Sequence, residues 1–257
     1  MPVLIGTSGW QYRHWRETFY PRGVRQADWL AYFAARFATV EVNNAFYRLP
    51  EAATFARWAR CTPEDFVVAV KASRFLTHVR RLREPEGPVR LLLERARSLG
   101  SKLGPVLLQL PPDLRADLDR LDATLAAFDP GVRVAVEFRH PSWFSAEARA
   151  LLESRGAALC LADRMGVASP LWRTADWGYL RMHEGRARPH PCYGRDSRER
   201  WARRLAELWG PEADVFAYFN NDGCACALHD ARLFAAAAER AGLRPTRVPA
   251  ARDVRLC

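Results

Sequence analysis

The chain has 257 residues, of which 49% are hydrophobic and 26% are charged, and this composition is typical of a folded globular protein and excludes a largely disordered one. Lys and Arg total 39 against 29 Asp and Glu, so the formal net charge is +10. A basic excess favours an acidic partner, either an anionic small molecule or the phosphate groups of a nucleic acid, but it carries no information about fold. Two of the basic residues are lysines, Lys71 and Lys102, and all the others are arginines.

The sequence predicts neither a membrane protein nor a secreted one. The first residues lack the basic segment and long apolar run of a secretory signal, and no apolar run approaches the roughly 18 residues that span a bilayer. The six cysteines do not have the spacing of a small disulfide framework, and Cys224-Ala225-Cys226 lacks the two-residue gap of a zinc knuckle. We therefore expect a cytoplasmic protein with no membrane partner and with reduced thiols.

Eight short runs of apolar, β-branched or aromatic residues predict strands. In chain order they are Val3–Ser8, Thr39–Asn43, Phe66–Lys71, Pro105–Leu110, Arg133–Arg139, Ala157–Asp163, Trp177–His183 and Val215–Asn221. Between these runs, apolar residues recur at helical spacing. The stripes that indicate helices are Trp29/Phe33/Phe37, Phe55/Trp58/Ala59, Leu92/Leu93/Ala96/Leu99, Leu118/Leu121/Leu125/Phe128, a segment from Ser145 to Gly156, Trp201/Leu205/Leu208 and Leu233/Ala237/Ala241.

The alternation of strands and helices predicts an α/β fold, namely a single (β/α)8 TIM barrel that spans residues 1–257 as one domain. No Gly-x-Gly-x-x-Gly follows the first strand, which argues against a dinucleotide-binding sheet. One unit is irregular, because the 13 residues of Arg164–Asp176 leave little room for a helix between strands six and seven.

Polar and charged residues end most of the predicted strands. In a TIM barrel, the reacting groups lie at these carboxyl ends and in the loops that follow, and strand residues two apart share a face. The residues that we expect to carry catalysis are Glu137, Glu41, Asp163, Lys71 and His183. The residues that we expect to bind substrate are Arg139, Arg181, Asn43, Asn220, Trp10, Tyr12 and His78. Pairing of Glu41 with Lys71 and of Glu137 with Arg181 would neutralise charges that converge in the barrel mouth.

Three long loops rich in arginine and aromatic residues follow strands on the same face of the barrel. They are Ser8–Gln26, Ser73–Arg83 and Glu184–Asp196. Arginines beside aromatic rings are the residues that contact phosphates and stack on bases, so these loops predict a basic binding face. The structural alternative is a solvated basic rim whose aromatic residues pack on the top of the barrel.

Several motifs carry a resemblance to a known family. They are Ile5-Gly6-Thr7-Ser8-Gly9-Trp10, Thr39-Val40-Glu41-Val42-Asn43, Phe46-Tyr47-Arg48-Leu49-Pro50, Val136-Glu137-Phe138-Arg139-His140-Pro141-Ser142-Trp143, Tyr179-Leu180-Arg181-Met182-His183 and Tyr218-Phe219-Asn220-Asn221-Asp222. Together they resemble the YecE-like, DUF72 family of TIM-barrel proteins from about residue 3 to about residue 240. The resemblance implies the barrel fold but neither a reaction nor a cofactor. His183-Glu184 departs from the His-Gly that the family pattern implies there, so the following loop is where a different shape is expected.

Three functions fit these residues. The first is an enzyme, for instance a phosphoester hydrolase, that acts on a phosphate-bearing or nucleic-acid substrate. In it, arginine and lysine side chains would bind the phosphate, and a carboxylate would act as general acid or base. Whether this enzyme binds a divalent metal through oxygen ligands is left open, and no residue is assigned as a ligand of that metal. The second is a carbohydrate-active hydrolase or isomerase with Glu41 and Glu137 as its acid–base pair. The third is a non-catalytic module that binds nucleic acid or another anion. The sequence fixes neither the oligomeric state nor which carboxylate acts as the acid.

Overall fold

A computed structural model describes residues 2–164, 169–188 and 190–256. Runs such as Val67-Val68-Ala69-Val70 form strands because their side chains are buried on both faces of the sheet. The strands are β1 Val3–Thr7, β2 Thr39–Val42, β3 Val67–Lys71, β4 Leu103–Gln109, β5 Val134–Glu137, β6 Ala158–Asp163, β7 Gly178–Met182 and β8 Val215–Phe219. Each lies within about two residues of its predicted bounds, which is the usual uncertainty of an element end.

The strands form one parallel sheet that curls into a nearly closed barrel, as predicted. Their order is β1-β8-β7-β6-β5-β4-β3-β2, and the two outer strands of this order meet through a bridge between Ser8 and Glu41. β1 and β2 approach so closely that a Cβ on Gly6 would overlap the carbonyl oxygen of Thr39. Glycine at this position therefore permits the closure.

Helices cover the outside of the barrel. They are α1 Trp29–Ala34, α2 Asn44–Tyr47, α3 Ala52–Arg60, α4 Glu86–Ala96, α5 Leu118–Ala126, α6 Ala146–Ser154, α7 Arg195–Trp209 and α8 Cys226–Arg240. Asp117 and Ser145 cap α5 and α6 by accepting backbone N–H groups of the first turn. The described residues between β6 and β7, 164 and 169–177, contain no helix, as the short connection predicts. Of the described helices, none is long and apolar enough to cross a membrane.

The inside of the barrel is filled in layers, and this filling positions the polar site. Small or aromatic residues occupy the lower layers, among them Ala69, Ala135 and Tyr179. Strand side chains alternate, so the residue two positions further along each strand also points inward. These next residues are Lys71, Glu137 and Arg181, which close the apolar interior with a charged layer.

The expectation that all thiols are reduced is wrong. Cys192 and Cys226 form a disulfide with an Sγ–Sγ distance of 2.08 Å, which joins the loop after β7 to the first residue of α8. Cys61 and Cys160 are free thiols. The two bonded cysteines are 34 residues apart, and their contact depends on the path of a loop that spacing rules do not predict.

Candidate functional site

A buried ion network lies at the carboxyl-terminal end of the barrel. The guanidinium of Arg181 bridges Glu41 and Glu137, with an Nη2–Oε1 distance of 2.8 Å and an Nη1–Oε2 distance of 2.6 Å. The side chain of Arg181 is 1% exposed, and both glutamates are fully buried. The expected pairing of Glu137 with Arg181 is therefore present. Glu41 pairs with Arg181 rather than Lys71, because the forked guanidinium spans the barrel and serves two carboxylates at once.

Glu41 has a donor at each of its carboxylate oxygens. Ser8 Oγ and Arg181 Nη2 donate to Oε1 at 2.7 and 2.8 Å, and Tyr179 OH donates to Oε2 at 2.7 Å. Burial would raise the pKa of Glu41, but the charge of Arg181 and the hydrogen bonds from Tyr179 and Ser8 hold that pKa below its usual value. Glu41 is thus an ionised anchor for Arg181 with no face open to solvent.

Glu137 connects the buried ions to the solvent side of the mouth. Its Oε2 accepts from Arg181, and its Oε1 accepts from Nε of Arg139 at 2.8 Å. Gln109 Oε1 accepts from Arg139 at 3.1 Å and from Arg181 at 3.3 Å, which ties the two guanidinium groups together. Burial would raise the pKa of Glu137, but Arg181, His183 and Arg139 hold it well below its usual value.

His183 extends this network to Asn220. Its Nε2 lies 3.4 Å from Glu137 Oε1, and its Nδ1 lies 3.1 Å from the amide nitrogen of Asn220. Because that amide is a donor, Nδ1 accepts and the ring proton is assigned to Nε2, on the side of the carboxylate. Within the described residues, Nε2 is buried without a hydrogen bond. Glu137 and His183 are therefore neighbouring groups able to take up or release a proton, and Asn220 orients the His183 ring.

Lys71 lies beside the network without joining it. Its Nζ lies 4.1 Å from the centre of the Phe46 ring, and the side chain is almost fully buried. None of the carboxylates in the described part of the chain lies within 4.0 Å of this amine. Burial and the positive charge of Arg181 lower the pKa of Lys71 to about 8.

Two further predicted residues, Tyr12 and Asn43, line the edge of the mouth. Both donate to the carbonyl oxygen of Ser8, Asn43 at 3.2 Å. Asn43 Oδ1 is buried and has no hydrogen-bond partner among the described residues. Burial, followed by the charge of Asp222, raises the pKa of Tyr12, so its hydroxyl stays protonated. These two side chains hold the loop after β1 against β2.

The predicted rings His78 and Trp10 differ in their access to solvent. His78 is partly exposed, and its ring meets the edge of Phe46 at a centroid distance of 5.0 Å, on the same aromatic ring that Lys71 covers. Trp10 is 4% exposed and packs edge-on against Trp58, so it contributes to the core rather than to an open stacking surface.

Asp163 lies apart from the ion network. It ends β6, and its backbone oxygen accepts from His183 N at 3.0 Å. Together with Glu184, Arg186 and Arg195, Asp163 lines a separate cavity of about 450 Å³. No hydrogen bond or ion pair among the described residues joins the Asp163 carboxylate to Glu137.

Two contributors, Tyr179 and Arg164, were missed by sequence reasoning. Tyr179 lies two residues before Arg181 on the same strand face, so strand alternation alone could have identified it as a partner of Glu41. Arg164 directly follows β6, and its Nε is buried without a partner in the described residues. Burial and the charge of Arg139 lower the pKa of Arg164.

The charges of the mouth do not cancel. Glu41 and Glu137 carry two negative charges against the three positive charges of Arg181, Arg139 and Lys71, before Arg164 is added. Arg181 is enclosed, so the uncompensated positive charge lies in the outer layer. In the described ranges, no group of three or more His, Cys, Asp or Glu is arranged to hold a metal ion.

Many arginines of the long loops pair with local carboxylates, which reduces the charge of the rim. Examples are Arg22 with Glu17, Arg81 with Asp113, and Arg195 with Glu199. A large cavity of about 650 Å³ lies at the opposite, amino-terminal end of the barrel, where Arg133 pairs with Asp214 at 2.7 Å. Chemistry in TIM barrels takes place at the carboxyl-terminal end, so this cavity is not the candidate site.

Comparison with known proteins agrees with the fold. Bacillus subtilis UPF0759 protein YunF is 25% identical over 253 residues, which cover 86% of this chain and 89% of YunF. A crystal structure of a DUF72 family protein from Thermotoga maritima is 25% identical, with a TM-score of 0.82 over 93% of this chain and 100% of that one. A DUF72 family protein from Enterococcus faecalis is 17% identical, with a TM-score of 0.78 over 92% and 95% of the two chains.

Two more distant structures share the barrel fold alone. SacUVDE is 11% identical with a TM-score of 0.51, over 91% of this chain and 97% of that one. A D-psicose 3-epimerase from Clostridium cellulolyticum, solved with D-tagatose, is 13% identical with a TM-score of 0.55, over 93% and 96%. Residues 4–253 match the family described as "Protein of unknown function DUF72". Because this match spans nearly the whole chain, the protein belongs to the DUF72 family.

Proposed function

We propose that this protein is an enzyme that binds a phosphate-bearing substrate at the carboxyl-terminal mouth of the barrel and acts on it by acid–base chemistry. The observation that carries the proposal is the excess of one positive charge in the network, where Arg181, Arg139 and Lys71 face the two carboxylates of Glu41 and Glu137. Lys71 makes no ion pair among the described residues and Arg139 is partly exposed, and guanidinium and ammonium groups are the usual protein partners of phosphate.

Arg139 is well placed to hold such an anion. Its side chain is 22% exposed, so the guanidinium reaches solvent while Glu137 and Gln109 fix its orientation. A guanidinium held by neighbouring side chains loses little freedom when it binds an oxyanion. The phosphate group of a small metabolite and that of a nucleic acid present the same oxyanion, and the same two cations would contact either.

Proton transfer is assigned to Glu137 and His183. Glu41 is fully enclosed, whereas Oε1 of Glu137 faces both Arg139 and the ring nitrogen of His183. A bound substrate that competes for Arg139 would free this oxygen to accept a proton. His183 Nε2 then supplies the matching donor or acceptor at the same point.

The carbohydrate hypothesis fits the geometry less well. An acid–base pair must flank the scissile glycosidic bond, but the guanidinium of Arg181 fills the space between Glu41 and Glu137. The tryptophans that would stack on sugar rings are buried, with Trp15 and Trp143 at 0% exposure. The two glutamates therefore serve the arginine rather than a sugar.

Binding and turnover measured on matched variants test the proposal. Calorimetric titration with inorganic phosphate should show at least about a tenfold loss of affinity in Arg139→Ala, since one charged contact is worth well over 1 kcal/mol. Arg155→Ala, which removes an arginine that pairs with Asp122 on the outer surface, is the control and should bind phosphate like the unaltered protein. Equal affinities for the two variants would overturn the proposed phosphate site.

Turnover separates an enzyme from a binding module. Glu137→Gln should bind phosphate but should not hydrolyse p-nitrophenyl phosphate or a short single-stranded oligonucleotide, the two probes for small and polymeric phosphoesters. If neither probe is turned over by the unaltered protein and binding falls steeply with salt, the site only binds anions. That result would leave the phosphate site standing and would remove the proposed hydrolysis.

A further inference from the structure

The two lysines of the chain differ sharply in their surroundings. Lys102 donates from Nζ to the carbonyl oxygens of Ala59 and Thr62, at 2.5 and 2.7 Å, and to Thr62 Oγ1 at 3.1 Å. This amine is fully engaged as a structural donor. Lys71 has no hydrogen bond among the described residues, and its amine rests on the face of Phe46. The amine of one lysine is therefore engaged by three oxygen atoms, and the amine of the other is engaged by none among the described residues.

The position of Lys71 also suits a nucleophile, because its amine pairs with no carboxylate among the described residues. It is the last residue of β3, so its amine points to the mouth where substrate enters. One side of the amine is apolar, since Phe46 lies at 4.1 Å, and burial and the charges of Arg181 and Arg139 together outweigh the opposing charges of Glu41 and Glu137. A desolvated lysine beside other cations is the arrangement that produces a neutral, reactive amine.

We propose that Lys71 forms an imine with the carbonyl carbon of an aldehyde or ketone substrate that also carries a phosphate group. This inference rests on the proposed function, because the phosphate is the group that Arg139 would hold. It names the substrate class, a phosphorylated carbonyl compound, and assigns Lys71 as the covalent catalyst. The partly exposed guanidinium of Arg139, which follows β5, and the amine of Lys71, which ends β3, then bind the two ends of one small molecule.

The covalent step balances with water as its only by-product. The lone pair of Nζ attacks the carbonyl carbon, the C–O π bond breaks, and a proton moves from nitrogen to oxygen to give a carbinolamine. A second proton transfer lets the hydroxyl leave as water while the C=N bond forms. No oxidant or metal is needed, and hydrolysis of the imine regenerates the amine.

The lowered pKa makes this step accessible near neutrality. A lysine with its ordinary pKa of 10.5 is almost wholly protonated there, whereas a pKa of about 8 increases the free-amine fraction. A shift of that size raises the fraction roughly 300-fold near pH 7. Lys71 should therefore react far faster than Lys102 with the same carbonyl compound.

Trapping with borohydride tests the inference on the intact protein. Incubation with glycolaldehyde phosphate and sodium borohydride should convert the imine to a secondary amine, which adds the mass of the aldehyde less one oxygen atom. Peptide mass spectrometry should find the adduct at Lys71 at least about tenfold more than at Lys102, the internal control, with a midpoint near pH 8. Inorganic phosphate should compete, and Lys71→Arg, which keeps the charge, should give no adduct at residue 71.

The outcomes distinguish this inference from the proposed function. Labelling that is equal at both lysines, or absent from Lys71 while Arg139→Ala still weakens phosphate binding, overturns the imine and leaves the phosphate site intact. Labelling of Lys71 by unphosphorylated glycolaldehyde as efficiently as by its phosphate overturns the assignment of a phosphorylated substrate. Labelling that is specific for the phosphate ester and falls in Arg139→Ala supports both.

Discussion

Replacement of Arg181 by methionine tests whether the buried ion network holds the barrel mouth together. Methionine fills similar space without charge, so the change strands the carboxylates of Glu41 and Glu137 in the interior. Loss of one partner from a buried ion pair costs about 3–5 kcal/mol, and here two carboxylates lose the same partner at 2.8 and 2.6 Å. We therefore expect the free energy of unfolding to fall by about 5 kcal/mol or more.

The pH dependence of this loss follows from the direction of the pKa shifts. In the unaltered protein the pKa values of both glutamates lie below the usual 4.5, so their stabilisation is complete above that value and is lost as pH falls through the lowered pKa. In Arg181→Met, burial raises these pKa values, so the folded state binds more protons than the unfolded one above about pH 4.5. The variant should therefore lose more stability at about pH 8 than at about pH 5.

Urea unfolding followed by circular dichroism at both pH values measures the effect. Arg155→Met is the matched control, because Arg155 makes an equally short two-bond pair with Asp122, at 2.6 and 2.8 Å, on the outer surface. The triple variant Glu41→Gln/Glu137→Gln/Arg181→Met should recover much of the loss, since no buried carboxylate is left unpaired. A loss no larger than that of Arg155→Met, or one independent of pH, would refute this account of the network.

Three other predictions concern elements outside the ion network. Gly6→Ala should lower the free energy of unfolding in urea by about 1–3 kcal/mol, because the new Cβ would overlap Thr39. Gly87→Ala is the control, since its Cβ would enter open space, and it should be neutral or slightly stabilising. Equal effects of the two substitutions would contradict the close approach of β1 and β2. Cys192→Ser should lower the free energy of unfolding by about 3–4 kcal/mol, because it removes a crosslink across 34 residues. Cys61→Ser, at a free thiol, is the control and should change this free energy little. Alkylation of Cys192 in the native protein would contradict the disulfide. Burial raises the pKa of Asp230 from 3.8 to about 6, so its ionisation destabilises the fold as pH rises through that interval. Asp230→Asn should remove this component from the measured stability profile, and an unchanged profile would count against it.

The sequence predicted the strands and the charged layer because both depend on local rules. Alternation along a strand places Glu137 with Arg139 and Arg181 with His183, and the parallel barrel brings their ends together. The pairing partners were harder to predict, because the length and fork of Arg181 decide that it takes Glu41 while Lys71 stays apart. The alternation along a strand determines which way a side chain points, but it does not determine with which of several nearby charged groups that side chain pairs.

Loop residues were predicted least well, for a different physical reason. Trp10 could have been either a stacking surface or core, and only its packing against Trp58 decides for the core. The contact between Cys192 and Cys226 likewise depends on how the loop after β7 folds back on α8. No periodicity constrains these segments, so their contacts follow from tertiary packing alone.

The enclosed carboxylates change where chemistry should be sought in this barrel. Glu41 has enclosed donors at both of its carboxylate oxygens, so it cannot exchange protons with substrate without stranding a buried charge, whereas Oε1 of Glu137 faces the partly exposed Arg139. The role of Glu41 is to fix Arg181, which in turn fixes Glu137 and, through Gln109, Arg139. The groups left to meet a ligand are Lys71, Arg139, His183 and Oε1 of Glu137. Two of these are basic and the other two are the proposed proton carriers, so the rigid lower layer positions a small set of groups suited to an anionic, electrophilic substrate.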